Sequence, residues 1–365
     1  MGAGAGPEAE RPTHPALRTR ACELFGIRYP IVQTGMGWVS GVHLTSATAR
    51  AGGLGILAAV TMSPERMITA VRELRERTDA PFGVNLRPDQ PDLAERVEAL
   101  AAEGVRVVSF AGAPARDTVA MLHDAGVLCM VTVGLRRHAE KVAALGVDAV
   151  IAQGGEGGGH TGPVPTSLLL PQVVDAVGAD VPVLAAGGFH DGRGLVSALA
   201  YGADGIAMGT RFLLTADSRV PDRVKREYLK ADVTSTVVTT AVDGLPQRVI
   251  ATDFVDRLAG RAPWRRGLGI LRASARLREL TGLTPMQALR EGLAMRRRGR
   301  TLFQVAAAAN VPLLIRAALV EGRPDAGVLP TGQVAGVVDD LPTVAELIER
   351  IIAEAEAVLA RLGGK

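Results

Sequence analysis

Eight short apolar runs, interleaved with helical segments, constrain this chain more than any other feature. The runs are YPIVQTGM (29–36), LGILAAV (54–60), PFGVNL (81–86), VRVVSFA (105–111), VLCMVTV (127–133), DAVIAQG (148–154), VPVLAAGG (181–188) and DGIAMGTRF (204–212). They are apolar throughout instead of alternating. That is the pattern of strands buried on both faces of a parallel sheet. Between them lie segments of helical periodicity, such as SPERMITAVRELRERT (63–78), DLAERVEALAAEG (92–104) and RHAEKVAALG (137–146). Eight β-then-α units that close on themselves predict an α/β fold of the (β/α)8 TIM-barrel type. Glycines in junctions such as EGV, DAG and LGVDAV suit a left-handed helix cap followed by a short turn into the next strand. A doubly wound open sheet should carry a dinucleotide fingerprint after its first strand, and QTGMGWVSG is not a G-x-G-x-x-G.

The eighth unit is interrupted. TSTVVTTAVDGLPQRVI (234–250) reads as two β runs joined at Asp243-Gly244, a hairpin signal. Residues 265–320 read as helical, and LPTVAELIERIIAEAEAVLARL (341–362) reads as an amphipathic helix starting at Thr343, the eighth helix of the barrel. The expected organisation is a disordered leader over 1–20, a barrel built from 21–215 and 329–365, and a smaller, mostly helical inserted domain over 216–328. The insert's VAAAANVPLLIRAALV (305–320) is apolar enough to serve as a substrate lid or as the surface of a homodimer.

Composition narrows the function classes. Aromatic residues are 3% of the chain and the formal net charge is +3, so neither base-stacking surfaces nor a dominant basic face is expected, and nucleic acid is excluded as a partner. One tight basic run, Arg296-Arg297-Arg298-Gly299-Arg300, suits a solvated helix end or an anion-docking patch. The two cysteines, Cys22 and Cys129, share no metal-ligand spacing and no disulfide framework, so no metal site is expected and a reducing cytoplasm fits. No apolar run reaches the roughly 18 residues of a membrane span.

In such barrels the chemistry sits at the carboxyl ends of the strands. Two of those ends, AAGGFHDGRG and AMGTRF, are rich in glycine. Gly187, Gly188, Gly209 and Thr210 there suit a phosphate cradle of backbone N–H groups, with a helix start near Gly192 and the Arg211 guanidinium as further anion ligands. Asn85 and Gln153 end strands three and six, where an amide can both donate to and accept from a heterocyclic ring. Two amides and a phosphate cradle suggest flavin mononucleotide. Strand six runs into GGEGGGHTG (154–162), where three glycines precede His160. A backbone without side chains can lie along a planar ligand and carry the imidazole over it, and imidazole suits proton transfer near neutral pH. Glu156 reads equally as an orienting group or a surface carboxylate, and His190 more as a loop residue than as a ligand.

The ordered set QTGMG, AGGLGIL, FGVN, QGGEGGGHTG, AAGGFHDGRG and MGTRFL resembles the nitronate monooxygenase family, and flavin-dependent enoyl-acyl carrier protein reductases share the plan. The resemblance covers about 22–215 and resumes near TGQVAG (331–336). It implies FMN contacts at Met36, Asn85, Gln153, Gly158, Gly187, Gly188, Met208, Gly209, Thr210 and Gln333, with His160 as the catalytic histidine beside the flavin. In nitroalkane oxidation that histidine takes the proton α to the nitro group, electrons pass to FMN, and oxygen reoxidises it. In the reductases NAD(P)H can supply electrons and the histidine helps deliver a proton. The chain departs from the best-known members at Thr34-Gly35-Met36, where they carry Pro-Met, and at Gly157-Gly158-Gly159, where they carry Ala-Gly-Gly. The segments HTGPVPTSLLLPQ and DSRVPDRVKREYL resemble an actinobacterial branch that includes a flavin-dependent dehydrogenase of a cyclic coenzyme A thioester in steroid ring degradation. The substrate implied is a small molecule, a nitronate or nitroalkane on one reading and an acyl thioester on the other. A flavin-binding protein without turnover would leave His160 without a role.

Overall fold

The strand runs of the sequence become the staves of one closed barrel. The computed structural model describes residues 14–260 and 302–363. Its barrel strands are β1 (Ile31–Gln33), β2 (Leu54–Ala58), β3 (Phe82–Leu86), β4 (Val107–Phe110), β5 (Leu128–Val133), β6 (Ala149–Gln153), β8 (Val183–Ala186) and β9 (Gly205–Met208). All neighbours are parallel, and β9 closes on β1 with Ile31 opposite Ile206. The strands are short, and β1, β2, β4, β8 and β9 are buried along their whole length. Val32, Leu54, Ile56, Val107, Met130, Ile151 and Leu184 fill the barrel interior, each at most 4% exposed. The opposite strand faces, with Ile31, Leu57, Val84, Val108, Val131, Val150, Val183 and Ile206, pack under the surrounding helices.

The helices between staves are α2 (Val42–Arg50), α3 (Pro64–Arg75), α4 (Leu93–Ala102), α5 (Arg116–Asp124), α6 (Arg136–Ala143), α7 (Thr166–Val177) and α8 (Gly192–Ala200). After β9 comes only the short α9 (Thr210–Leu213). The eighth outer helix is the C-terminal one, Val344–Leu362, which packs against α8 and α2. It opens with a capping box: the Thr343 hydroxyl accepts from the Glu346 N–H, and the Glu346 carboxylate accepts from the Thr343 N–H.

The expected leader is corrected at its end. Leu17 is fully buried, the Thr19 hydroxyl donates to the Asp204 carbonyl at 2.6 Å, and Arg20 pairs with Asp204 at 2.8 Å. Helix α1 (Arg20–Phe25) then places Ala21 and Phe25 in the same apolar cluster as the barrel interior. A segment that buries Leu17 and ties off a carboxylate is folded, whatever its Gly- and Pro-rich beginning suggests.

Between α9 and the C-terminal helix, the described residues form α10 (Asp222–Leu229), a hairpin of β10 (Thr236–Thr239) and β11 (Gln247–Ile250), α11 (Asp253–Gly260) and a long helix, α12 (Leu302–Leu319). The C-terminal helix is accordingly α13. The Arg296–Arg300 run, and residues 265–301 of the helical prediction over 265–320, lie outside the described residues. The hairpin adds a third strand, β7 (Gly159–His160), drawn from the glycine-rich loop. Among the described residues no helix is long and apolar enough to cross a membrane.

Candidate active site

A cavity of about 320 Å³ opens at the carboxyl ends of the barrel strands. Met36, Asn85, Gln153, Gly158, Gly187, Gly188, Met208, Gly209 and Thr210 all line it, and so does His160. Gln333 does not. Its neighbours Gly332 and Val334 reach the cavity, while its own amide is turned toward the Val233 carbonyl, 3.4 Å away. The reason is local: residues 333–337 form a 3-10 turn whose Gln333 N–H donates to the Glu156 carbonyl at 3.0 Å, which spends the residue on docking the glycine loop.

On one wall, β8 and β9 end in Gly187, Gly188, Gly209 and Thr210. Gly187 and Gly188 have φ of +97° and +88°, values that a side chain strongly disfavours. No hydrogen bond among the described residues takes up the N–H groups of these four residues. A Cβ added at Gly209 would stand 3.2 Å from the Thr34 hydroxyl and 3.4 Å from the Met36 sulfur, so a side chain there would fill the hollow. This wall fits an anion held by backbone N–H groups. The start of α8 is different from expectation. Asp191 caps it, accepting from the Gly194 N–H at 2.8 Å, and Glu354 accepts from the Gly192 N–H at 2.9 Å. Two carboxylates already satisfy that terminus, so it contributes nothing to an anion site. Arg211 is likewise turned away: it is buried, pairs with Asp340 at 2.9 Å and donates to the Leu214 carbonyl at 2.8 Å.

Across the floor, the Asn85 amide donates to the Ser109 hydroxyl and carbonyl at 3.0 and 3.1 Å, which fixes its plane. Gly35 lets it approach: a Cβ on that residue would collide with the Asn85 side chain, its Cγ at 3.0 Å. The loop after β1 is held by Ser40, whose hydroxyl accepts from the Met36 N–H and donates to the Thr34 carbonyl, each at 2.9 Å.

The glycine-rich loop forms the third wall. Glu156 proves to be its anchor: the carboxylate accepts from the Thr166 N–H at 3.0 Å and hydroxyl at 2.7 Å, at the first residue of α7. Arg248 of β11 donates twice to the Gly155 carbonyl. At Gly158 the loop lies against the backbone of Thr331 and Gly332, where a Cβ would be 2.5 Å from the Gly332 nitrogen. The glycines therefore let protein backbone approach protein backbone, as well as leaving the cavity side bare. His160 follows, with its carbonyl held by the Gln153 amide at 2.8 Å and its backbone paired to Gln247 of β11. Its ring Nε2 lies 2.8 Å from the Asp243 carboxylate and 3.1 Å from the Gln247 amide.

Asp243 and Gln247 are the residues that sequence reasoning missed. Both were visible only as parts of a hairpin, and nothing in their spacing points to a histidine more than 80 residues earlier. The roof was expected as a lid or a dimer surface. It is the cavity side of α12, which presents Val311, Ile315 and Leu319. Arg316 of the same helix stacks over Trp38 at 5.4 Å, and Trp38 is the one described non-glycine residue with positive φ, at 67°.

The sequence matches the nitronate monooxygenase family over residues 18–354, a span that includes the barrel, the hairpin and α12. The chain belongs to the nitronate monooxygenase family. As a member of it, the protein is an enzyme, an oxidoreductase in a flavin-dependent family. Within that frame it is similar to a (3aS,4S,5R,7aS)-5-hydroxy-7a-methyl-1-oxo-octahydro-1H-indene-4-carboxyl-CoA dehydrogenase of Mycobacterium tuberculosis, with 54% identity over 341 residues, 93% of this chain and 96% of the relative. Among solved structures, FabK from Thermotoga maritima superposes with a TM-score of 0.78 at 34% identity, covering 95% of this chain and 99% of the other. A nitroalkane oxidase from Streptomyces ansochromogenes superposes with a TM-score of 0.72 at 30% identity, covering 93% and 99%. The TIM barrel expected from the strand runs is thus shared across this nitronate monooxygenase group.

Proposed function

We propose that this protein is an FMN-dependent dehydrogenase of a cyclic acyl-CoA thioester, with His160 exchanging the substrate proton. The observation that carries the reading is a convergence in one cavity. Gly187, Gly188, Gly209 and Thr210, whose N–H groups no hydrogen bond among the described residues takes up, line the same cavity as His160, Asn85 and Gln153. The four N–H groups would hold the FMN phosphate, the two amides its ring edges, and Met36, Gly158 and Met208 would pack beside it. Gln333, turned outward, is left out of this set. FMN, when bound, supplies the acceptor for a hydride equivalent.

The chain's own residues do the rest. His160 takes the proton from a carbon made acidic by the neighbouring thioester carbonyl. The apolar roof of Val311, Ile315 and Leu319 suits an alicyclic body and sheds water from the site. The substrate class rests on the likeness to the indene-carboxyl-CoA dehydrogenase, which extends over 96% of that relative and so includes the roof and the hairpin. A second reading, nitroalkane oxidation, is favoured by the likeness to the Streptomyces enzyme. It uses the same His160 step, with a nitro group acidifying the carbon.

Anaerobic mixing of the flavin-loaded protein separates the two. Cyclohexanecarboxyl-CoA should bleach the yellow colour, and 1-nitropropane should do so far more slowly. Bleaching by 1-nitropropane alone, followed by rapid reoxidation in air, selects the second reading. A protein that purifies without flavin and takes none up overturns both. Reduction of the same protein by NADH or NADPH tests whether a nicotinamide serves as the donor in the reverse direction.

A further inference from the structure

The hairpin of the insert reaches the site through one side chain. Asp243 lies in the connection between β10 and β11, and its side chain is 3% exposed, whereas that of His160 is 56% exposed. The Asp243 Oδ2 lies 2.8 Å from His160 Nε2, and its Oδ1 accepts from the Leu245 N–H at 3.0 Å. The backbone around the histidine is held by the same hairpin: Gln247 pairs with His160, and the Thr161 N–H donates to the Pro246 carbonyl at 3.2 Å. Ring and main chain are therefore referenced to one rigid piece.

We infer that Asp243 is the positioning residue of the site, which holds His160 in the Nε2–H tautomer and leaves Nδ1 as the atom that exchanges the substrate proton. This rests on the reading of His160 as the proton-handling group. The reasoning is one of donor and acceptor capacity. An ionised carboxylate only accepts, so at 2.8 Å the imidazole must donate from Nε2. A neutral imidazole has one N–H, so the lone pair is then on Nδ1. Burial pushes the Asp243 carboxyl up, but the His160 hydrogen bond and charge and the Leu245 N–H outweigh it and hold the group below the ordinary aspartate value. The carboxylate is thus the form present at neutral pH. The Gln247 amide nitrogen lies 3.1 Å from the same Nε2; the imidazole proton there goes to the closer, charged acceptor, Asp243 at 2.8 Å, since a bond to an ionised group is the stronger of the two.

Two measurements test this. In protein labelled with ¹⁵N-histidine, the His160 resonances, assigned by their loss in His160→Ala, should show the Nε2–H tautomer at alkaline pH. In Asp243→Asn they should shift to a mixture or to Nδ1–H. This readout needs neither substrate nor flavin, and an Nδ1–H tautomer in the parent protein overturns the inference. The second measurement is a double-mutant cycle on flavin bleaching by cyclohexanecarboxyl-CoA. Asp243→Asn alone should slow bleaching about 100-fold or more, below the roughly 10⁴-fold loss known when the histidine of a serine-protease triad loses its orienting carboxylate, while flavin content stays at the parent level. In a His160→Ala background the same change should cost less than about 2-fold, because a residue that acts through His160 has nothing left to act on. A loss that multiplies in the double variant assigns Asp243 a separate structural role and overturns the inference. If His160→Ala is impaired and Asp243→Asn is not, this inference fails alone; if His160→Ala keeps the parent rate, the underlying reading fails. Should Asp243→Asn not fold, Asp243→Glu serves in its place, with recovery of the Nε2–H tautomer expected and its absence contradicting the assignment.

Discussion

A single methyl group at Gly158 tests how the glycine-rich loop is seated. A Cβ there would stand 2.5 Å from the Gly332 nitrogen and closer still to the Thr331 carbonyl carbon. Ordinary contact between such atoms is about 3.5 Å, so the loop must retreat by roughly 1 Å. The obstacle is backbone, which cannot rotate aside as a side chain does. Overpacking of this kind costs about 1–3 kcal/mol. The retreat also stretches the 3.0 Å hydrogen bond from the Gln333 N–H to the Glu156 carbonyl, worth about 1 kcal/mol. Together Gly158→Ala should cost roughly 2–4 kcal/mol. At about 2 °C per kcal/mol for a large domain, the melting midpoint should fall by roughly 4–8 °C. Gly188→Ala supplies the contrast. Its Cβ would meet only the Glu156 Cβ at 3.9 Å, but its φ of +88° is strained for alanine, at about 1–2 kcal/mol. Thermal melts followed by circular dichroism compare the two variants with the parent. Because position 158 lies two residues before His160, Gly158→Ala should also slow flavin bleaching. A Gly158→Ala melt within 1 °C of the parent, or above that of Gly188→Ala, would refute the reasoning.

Two further outcomes follow from buried charge and thiol chemistry. The Arg350 hydrogen bond, with the Arg211 charge beside it, holds the Asp340 carboxyl below its ordinary value against an opposing push from burial. A carboxyl whose folded pKa is depressed stabilises the fold above its ordinary value of about 3.9 and loses that contribution as pH falls through the lowered value. Asp340→Asn should therefore be less stable than the parent at neutral pH, with the gap closing below about pH 4; a gap that stays constant in urea titrations down that range would contradict it. Burial, with the Asp148 charge adding to it, pushes the Cys129 thiol up to about 12, so its thiolate at pH 8 should be about 10³-fold scarcer than that of an ordinary thiol. A Cys22→Ser variant should give almost no reaction with a thiol reagent until it is unfolded, and rapid titration in the native state would sink that account.

The barrel was legible in the sequence because each stave is buried on both faces, and burial on both faces leaves a run with no polar interruptions. The ends of those runs were legible as the barrel mouth for the same reason: Asn85, Gln153 and the Gly187–Gly188 and Gly209–Thr210 pairs break apolar strands, and all of them line the cavity that opens there. Leu17 was harder to read, since a single leucine behind a Gly- and Pro-rich start carries no periodicity.

What the tertiary structure alone decided is which distant groups meet at that mouth. Arg211 and the start of α8 looked available for an anion, yet Asp340 and Glu354 had already claimed them from 129 and 162 residues away in the chain. Asp243 reads as an ordinary turn residue until β11 pairs with β7 and sets its carboxylate against His160, 83 positions earlier. Local patterning records burial, because burial acts on each residue where it stands. Hydrogen-bond partners that converge from separate elements leave no such trace, because their meeting depends on how elements far apart in the chain pack against one another.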